Sequence, residues 1–237
     1  MQNPIIAALD VPSIDQANTL IDKIGTRVGA FKVGMELFTA AGPEIIRRIR
    51  AQGASVFLDL KFHDIPNTVV KALRSAVRLD VQMLTIHTLG GLDMMRAAES
   101  AAQEAAAERN IEPPLVLGVS VLTSMDKGDL KQIAIHSSVT DQVQHLVSLG
   151  IEGGLRGFVC SPLEITRLRQ TIPAEIKLVT PGIRMASDAQ GDQKRTLSPV
   201  EALQAGADRL VIGRPIYAAA DPLEALGRIL DSISSNP

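Results

Sequence analysis

The sequence has few residues of several types, and each shortage excludes a class of protein. Its 237 residues include no tryptophan, and aromatic residues make up only 3%, which argues against a surface on which nucleic-acid bases stack. The formal net charge is -2 and no block of basic residues occurs. We therefore expect no nucleic-acid partner.

The single cysteine, Cys160, excludes an intramolecular disulfide and indicates a reducing compartment. No apolar run approaches the roughly 20 residues that a membrane helix needs. Residues 1–4 lack the basic start of a signal peptide. These features predict a soluble, cytoplasmic protein with no membrane partner.

The chain does contain a regular alternation of strand-like and helix-like segments. Hydrophobic residues make up 46% of it, and short aliphatic runs alternate with segments of helical apolar spacing. We predict strands at residues 5–9, 30–33, 55–58, 83–86, 115–119, 157–160, 177–180 and 209–212. Eight strand–helix units in this length favour a (β/α)8 TIM barrel, a single catalytic domain over residues 1–237. A doubly wound open sheet is the alternative.

Residues 59–68 concentrate charge where an ordinary strand would end. Asp59 and Lys61 are two positions apart, so they share one face of the third strand, while Leu58 and Leu60 point to the packed face. An Asp–Lys pair at the end of a buried strand is costly to desolvate. Pro66 then marks a helix start. The pattern predicts a functional pair.

Polar residues follow most of the other strands. The carboxyl ends of barrel strands carry the active site, and the residues expected there are Asp10, Lys32, Asp59, Lys61, His87, Ser120, Thr123, Arg184 and Arg214. Taken singly, each is also explained as a strand-end side chain that reaches solvent. Lys32 and Lys61 lie within apolar runs, which favours a functional role for these two.

The segment after the eighth strand predicts an anion site. Gly213 lets backbone N–H groups approach an anion, and Arg214 can pair with it, at the usual phosphate end of a barrel. Gln193, in the long polar loop of residues 182–197, would reach the same phosphate when that loop closes. The alternative is a glycine needed only for a tight turn. The sequence thus suggests a phosphorylated small molecule.

A metal site is not expected. The histidines, at positions 63, 87, 136 and 145, show no ligand spacing, and a His63/His87 pair at adjacent strand ends is the remaining metal alternative. No Ser-His-Asp arrangement and no glycine-rich dinucleotide motif occurs. Cys160 has the position of a small core residue.

Six segments together resemble the orotidine 5′-phosphate decarboxylase family. Residues 59–68 (Asp-Leu-Lys-Phe-His-Asp-Ile-Pro-Asn-Thr) are similar to its signature, and further matches fall in the expected order at residues 8–10, 31–34, 180–184, 191–195 and 212–216. The resemblance spans essentially the whole chain. It implies decarboxylation of orotidine 5′-monophosphate to UMP, the last step of de novo pyrimidine synthesis. It also implies no metal, no organic cofactor, and a homodimer in which Asp64 reaches into the partner's site.

The resemblance also implies a role for each matching residue. Lys61 would protonate C6 of the pyrimidine, and Lys32, Asp59 and Asp64 from the neighbouring subunit would complete an alternating row of charges. The implied substrate-binding residues are Asp10, Lys32, Thr68, Thr123 with Ser124 as its alternative, Pro181, Arg184, Gln193, Gly213 and Arg214. Without a cofactor as electron sink, the protein must stabilise the carbanion electrostatically. Carboxylates beside Lys61 would favour its charged form.

Two other functions remain open at this point. Mg²⁺-dependent 3-keto-gulonate-6-phosphate decarboxylases and hexulose-phosphate synthases share the Asp-x-Lys-x-x-Asp pattern of Asp59, Lys61 and Asp64. Residues 65–68 and Gln193 favour the pyrimidine enzyme. A non-catalytic nucleotide-binding barrel is the other alternative, and the intact Asp59–Lys61 pair argues against it because a pure binder needs no buried proton donor.

Overall fold

Eight parallel strands close into a barrel in the computed structural model, which describes residues 3–185 and 196–235. The strands are β1 (Ile5–Ala8), β2 (Ala30–Gly34), β3 (Val56–Phe62), β4 (Met83–His87), β5 (Leu115–Val119), β6 (Gly157–Val159), β7 (Lys177–Thr180) and β8 (Arg209–Ile212). They pair in chain order, and β1 also pairs with β8. The predicted (β/α)8 barrel is confirmed, and the open-sheet alternative is wrong.

Helices connect the strands and cover the outside of the barrel. They are α1 (Ile14–Ile24), α2 (Met35–Ala41), α3 (Glu44–Ala51), α4 (Pro66–Val77), α5 (Gly91–Ala107), α6 (Lys127–Gln132), α7 (Val139–Glu152), α8 (Ile165–Arg169), α9 (Pro199–Gln204), α10 (Arg214–Tyr217) and α11 (Pro222–Ser234). Ser13, Ser138 and Ser198 cap α1, α7 and α9, each accepting a backbone N–H from the first turn. Among the described residues, no helix is both long and apolar enough to span a bilayer.

The pleat of the strands decides which side chains enter the barrel. The inner core is a cluster of eight buried residues: Ile6, Ala8, Ala30, Phe57, Met83, Leu117, Val179 and Val211. Asp10, Lys32 and Asp59 come two positions after Ala8, Ala30 and Phe57. They therefore point the same way, one layer nearer the carboxyl end of the barrel.

Strand β3 is longer than expected. The prediction ended it at residue 58, but the strand continues to Phe62, because Asp59 pairs with Gly34 of β2 and Phe62 with Ile86 of β4. The pairing with β4 shifts register between Leu58 and Phe62. The charged pair therefore lies on the third strand, as predicted, but at an irregularity in its pairing with β4.

Candidate active site

A cavity of about 520 Å³ opens at the carboxyl end of the barrel, within the size range of small-molecule sites. Its walls include apolar side chains of the inner core, among them Ala8, Phe57 and Val211. Nine of the predicted site residues also line it: Asp10, Lys32, Asp59, Lys61, Thr123, Pro181, Arg184, Gly213 and Arg214. The fold thus brings together residues from the first strand to the last, Asp10 after β1 and Arg214 after β8.

Four of these side chains form an alternating row of charges. Lys32 Nζ lies 2.8 Å from Asp10 Oδ1 and 3.7 Å from Asp59 Oδ2, and Lys61 Nζ lies 2.8 Å from Asp59 Oδ1. The side chains of Lys32 and Asp59 are only 11% and 13% exposed, Lys61 is 25% exposed, and Asp10 is 47% exposed at the outer end. Each inner charge therefore has an opposite charge beside it, which offsets part of its desolvation cost.

Lys61 reaches this row from an unusual backbone conformation. Its φ is +51°, in the left-handed region, which costs an L-residue other than glycine roughly 1–2 kcal/mol. Regular strand alternation predicted that Asp59 and Lys61 share a face. Their side chains do meet, but the left-handed residue and the register shift beside it interrupt the regular strand.

Thr85, on β4, contacts both members of the pair and was missed by sequence reasoning. Its Oγ1 accepts the backbone N–H of Lys61 at 2.8 Å and donates to Asp59 Oδ1 at 3.0 Å. The available signal was a hydroxyl residue two positions after the inward-facing Met83, between the apolar residues Leu84 and Ile86. Glu36 and Tyr217 also line the cavity without having been predicted. They lie in helices just after strands, where strand alternation gives no side-chain direction.

The cavity wall also includes Arg184, Gly213 and Arg214, which the sequence predicted as binding residues. Gly182 and Arg184 follow β7, and Gly213 and Arg214 follow β8. The φ of Gly213 is −106°, so a left-handed turn is not the reason for glycine here. A Cβ at this position would lie 3.3 Å from the ring of Tyr217. Arg184 and Arg214 therefore line the same cavity as the lysine–aspartate row. Gly213 lies next to Asp10, the outer member of that row, since a Cβ on Gly213 would be 3.6 Å from Asp10 Oδ2.

Some predicted residues do not line the cavity among those that the structure describes. Asp64 is exposed, and its Oδ1 accepts the N–H of Ile65 at 2.7 Å. Thr68 is exposed in the first turn of α4. Of the two pyrimidine candidates, Thr123 lines the cavity and Ser124 does not. Gln193 lies outside the described residues.

The two strand-end histidines lie beside the site. The rings of His63 and His87 are 5.4 Å apart between centroids and tilted by 37°. Burial, and to a smaller extent the electrostatic interaction with His63 and Lys61, lowers the pKa of His87. Within residues 3–185 and 196–235, no group of three or more histidine, cysteine, aspartate or glutamate side chains is arranged to hold a metal ion.

Cys160 is buried in the core. It contacts Thr180, with 3.8 Å between Sγ and Oγ1. Burial raises the pKa of its thiol to about 12, which keeps it in the unreactive protonated form.

Comparison with known proteins identifies the family. A family profile described as orotidine 5′-phosphate decarboxylase / HUMPS matches residues 3–229. Orotidine 5′-phosphate decarboxylase of Nitrosococcus oceani is 52% identical over 231 residues, 98% of this chain and 97% of that protein. The protein of the same name from Paramagnetospirillum magneticum is 48% identical over 229 residues, 97% of each chain.

Solved structures agree with this result. The crystal structure of orotidine 5′-phosphate decarboxylase from Lactobacillus acidophilus matches with a TM-score of 0.86 and 35% identity, over 98% of this chain and 99% of that one. These relatives confirm the prediction that the chain is a carboxy-lyase, because each is named as a decarboxylase. The chain belongs to the orotidine 5′-phosphate decarboxylase / HUMPS family.

Proposed function

We propose that this chain decarboxylates orotidine 5′-monophosphate to UMP and CO₂ without a metal or organic cofactor. The observation that carries the proposal is the Lys61 ammonium, 2.8 Å from Asp59 in a cavity that two arginines also line. A proton donor and an anion-binding end in one cavity suit a phosphorylated substrate that must be protonated at carbon. The names of the relatives support this substrate.

In the proposed reaction, the bond between C6 and the carboxylate breaks and CO₂ leaves. The electron pair remains in an sp² orbital at C6, in the plane of the ring, so the π system delocalises it poorly. The Lys61 ammonium stabilises this charge and then transfers a proton to C6, after which solvent returns a proton to the amine. An ammonium already fixed in position does not have to reorganise during the reaction, and this is the main source of electrostatic catalysis.

Asp59 has two functions in this proposal. Its carboxylate favours the charged form of Lys61, and it lies close to where the substrate carboxylate would bind. Repulsion between the two carboxylates would raise the energy of the bound substrate, and loss of CO₂ relieves it. The 13% exposure of Asp59 supports this role, because water screens a buried charge less.

The remaining residues hold the substrate. Arg214, Arg184 and the backbone at Gly213 would bind the phosphate, with Gln193 joining them from its loop. Asp10 and Lys32 would contact the ribose, Thr123 the edge of the pyrimidine, and Pro181 would lie against the nucleotide. Binding energy from the phosphate, far from C6, would then contribute to closure of the site and raise kcat.

We further propose that the protein is a homodimer and that Asp64 completes the site of the neighbouring subunit, where Thr68 also approaches the nucleotide. Residues 63–68 are all exposed in the single chain. Ile65, beside Asp64, is 67% exposed, and Leu89, after β4, is also exposed. Large apolar side chains beside a charged signature suit a protein interface better than a solvated loop. Sedimentation of the purified protein measures its mass in solution, and a monomer would contradict this proposal.

The cellular context is also part of the proposal. We place the enzyme in the cytoplasm, as one catalytic domain over residues 1–237, with the nucleotide as its ligand and no nucleic-acid or membrane partner. The single buried cysteine and the net charge of -2 support this. The described elements from β1 to α11 all belong to one barrel.

The family includes a second candidate chemistry. The family description also includes the name HUMPS, and the sequence pattern leaves a Mg²⁺-dependent reaction on a sugar phosphate as the alternative. The decisive assay treats the purified protein exhaustively with a chelator, supplies orotidine 5′-monophosphate, and follows its absorbance together with released CO₂. We expect one CO₂ for each UMP at an unchanged rate. No turnover would refute the proposed function, and turnover only after Mg²⁺ is restored would refute the metal-free mechanism.

A further inference from the structure

Thr85 is buried next to Asp59 and Lys61, and its hydroxyl forms a hydrogen bond with each of them. Its side chain is 0% exposed, and it is not among the described residues that line the cavity. Its Oγ1 is 2.8 Å from the backbone nitrogen of Lys61 and 3.0 Å from Asp59 Oδ1. It therefore contacts the two central residues of the proposed reaction without reaching the substrate.

The direction of both hydrogen bonds follows from the chemistry of the partners. A backbone N–H only donates and an ionised carboxylate only accepts, so the hydroxyl accepts from Lys61 and donates to Asp59. Asp59 Oδ1 receives a second donor at 2.8 Å, Lys61 Nζ. Thr85, Asp59 and Lys61 thus close a ring of three hydrogen bonds that includes both ends of the lysine residue.

Such a ring is needed because the backbone at Lys61 is not in a regular strand conformation. Its φ is +51°, and the pairing of β3 with β4 shifts register on either side of it. A residue in a sparsely populated conformation persists only when its surroundings hold it there. Thr85 occupies the place in the ladder where regular pairing is interrupted, and its hydroxyl takes the N–H that would otherwise be buried without a partner.

We propose that Thr85 is a positioning residue for decarboxylation, which orients the Lys61 ammonium and the Asp59 carboxylate through these two hydrogen bonds. The inference rests on the proposed function and deepens it. Thr85 does not touch the nucleotide, so its loss should slow the chemical step and leave binding nearly unchanged. A serine at position 85 should preserve this role, because serine also has a hydroxyl group that can make both hydrogen bonds.

The test compares Thr85→Val, which keeps the shape and loses the hydroxyl, with Thr85→Ser, which keeps the hydroxyl. We expect Thr85→Val to lower kcat by about 10²-fold, the typical effect of displacing a reacting group by about 1 Å. KM and the Kd for UMP should change by less than about threefold, and Thr85→Ser should keep kcat within about threefold of the unmodified enzyme. If the valine variant does not fold, Thr85→Ala is tested in its place. We expect the same fall in kcat for the alanine variant, because it also lacks the hydroxyl.

Thr88 offers a matched control. It is also a fully buried threonine, and its Oγ1 donates to the carbonyl of Val119 at 2.9 Å rather than to Asp59 or Lys61. Thr88→Val should lower the Tm by an amount similar to Thr85→Val and keep kcat. Hydrogen exchange adds a direct measurement, because the amide of Lys61 should lose protection in Thr85→Val alone.

The outcomes separate this inference from the proposed function. An unmodified enzyme that turns over orotidine 5′-monophosphate, together with an equally active Thr85→Val variant, would overturn the role of Thr85 and leave the function standing. A serine variant as slow as the valine variant would do the same. If the unmodified enzyme does not decarboxylate orotidine 5′-monophosphate, the proposed function is refuted. The positioning role of Thr85 is then refuted as well.

Discussion

Replacing Lys61 by alanine is the most direct test of the proposed chemistry. The change removes the ammonium that lies 2.8 Å from Asp59 and leaves the two arginines of the cavity unchanged. Asp59 keeps its hydrogen bond from Thr85 at 3.0 Å and the Lys32 ammonium at 3.7 Å. The carboxylate therefore stays paired, and we expect the variant to fold.

The size of the effect follows from the two tasks assigned to the amine. Proton transfer by a positioned acid contributes about 10²–10⁴-fold, and one fixed electrostatic donor contributes about 10²–10³-fold. Because both tasks belong to one group, we expect kcat to fall by at least about 10⁴-fold, which corresponds to roughly 5 kcal/mol in the activation free energy. The Kd for UMP should change by less than about tenfold.

Lys61→Gly is the matched control for the backbone. Glycine adopts the left-handed conformation freely, which regains roughly 1–2 kcal/mol, but it loses about 0.5–1 kcal/mol to the flexibility of the unfolded chain. The two effects partly offset each other, so the two variants should differ in free energy of unfolding by only about 1 kcal/mol. Both lack the amine and should be equally inactive.

The assay follows orotidylate absorbance at saturating substrate, and calorimetry measures UMP binding to each variant. A kcat within about tenfold of the unmodified enzyme for Lys61→Ala would refute the role of Lys61 as proton donor. An active Lys61→Gly beside an inactive Lys61→Ala would show that backbone conformation, rather than the amine, limits the reaction.

Three further predictions concern the interface, the histidine pair and the cysteine. Mixing inactive Lys61→Ala subunits with inactive Asp64→Asn subunits should restore part of the activity, since each heterodimer then holds one complete site; confirmed heterodimers without activity would count against a shared site. Burial and nearby positive charge lower the pKa of His87 in the folded state, so the unfolded state binds more protons and stability should fall as the pH drops from about 7 to 5. Urea unfolding of His87→Gln should show a smaller fall, while the exposed His145→Gln keeps the original one; equal slopes would disprove the assignment. Burial raises the pKa of the Cys160 thiol to about 12, so alkylation near pH 8 should be at least about 10³-fold slower in native than in unfolded protein, and rapid native labelling would contradict the burial.

The strand pattern was predictable because burial on both faces leaves a strong signal. Parallel strands inside a layer of helices read as short, continuous aliphatic runs, and each of the eight predicted runs overlaps an observed strand. Polar residues at the ends of those runs then indicated the cavity, since a barrel brings all carboxyl ends to one face. Asp10, Lys32 and Arg214 were found in this way and do line it.

Other features depend on contacts between strands, which a local pattern does not report. Alternation by two residues does not predict the left-handed φ of Lys61, nor that its backbone N–H donates to a hydroxyl on the neighbouring strand instead of continuing the regular ladder. The only local signal for Thr85 is its spacing of two from Met83, and that signal does not name its partners, which are two residues more than 20 positions away. The choice between Thr123 and Ser124 likewise depends on how their loop lies over the barrel.

By itself, then, the sequence determined the fold class, the family and most of the charged residues of the site, because burial periodicity and a ten-residue signature are local properties of the chain. Only the tertiary structure decided how those charges pair: Lys32 between Asp10 and Asp59, and Lys61 against Asp59 with Thr85 behind them. The physical reason is that desolvated charges and hydroxyls are stabilised by partners from other strands, and closure of the barrel alone brings those partners within hydrogen-bonding distance.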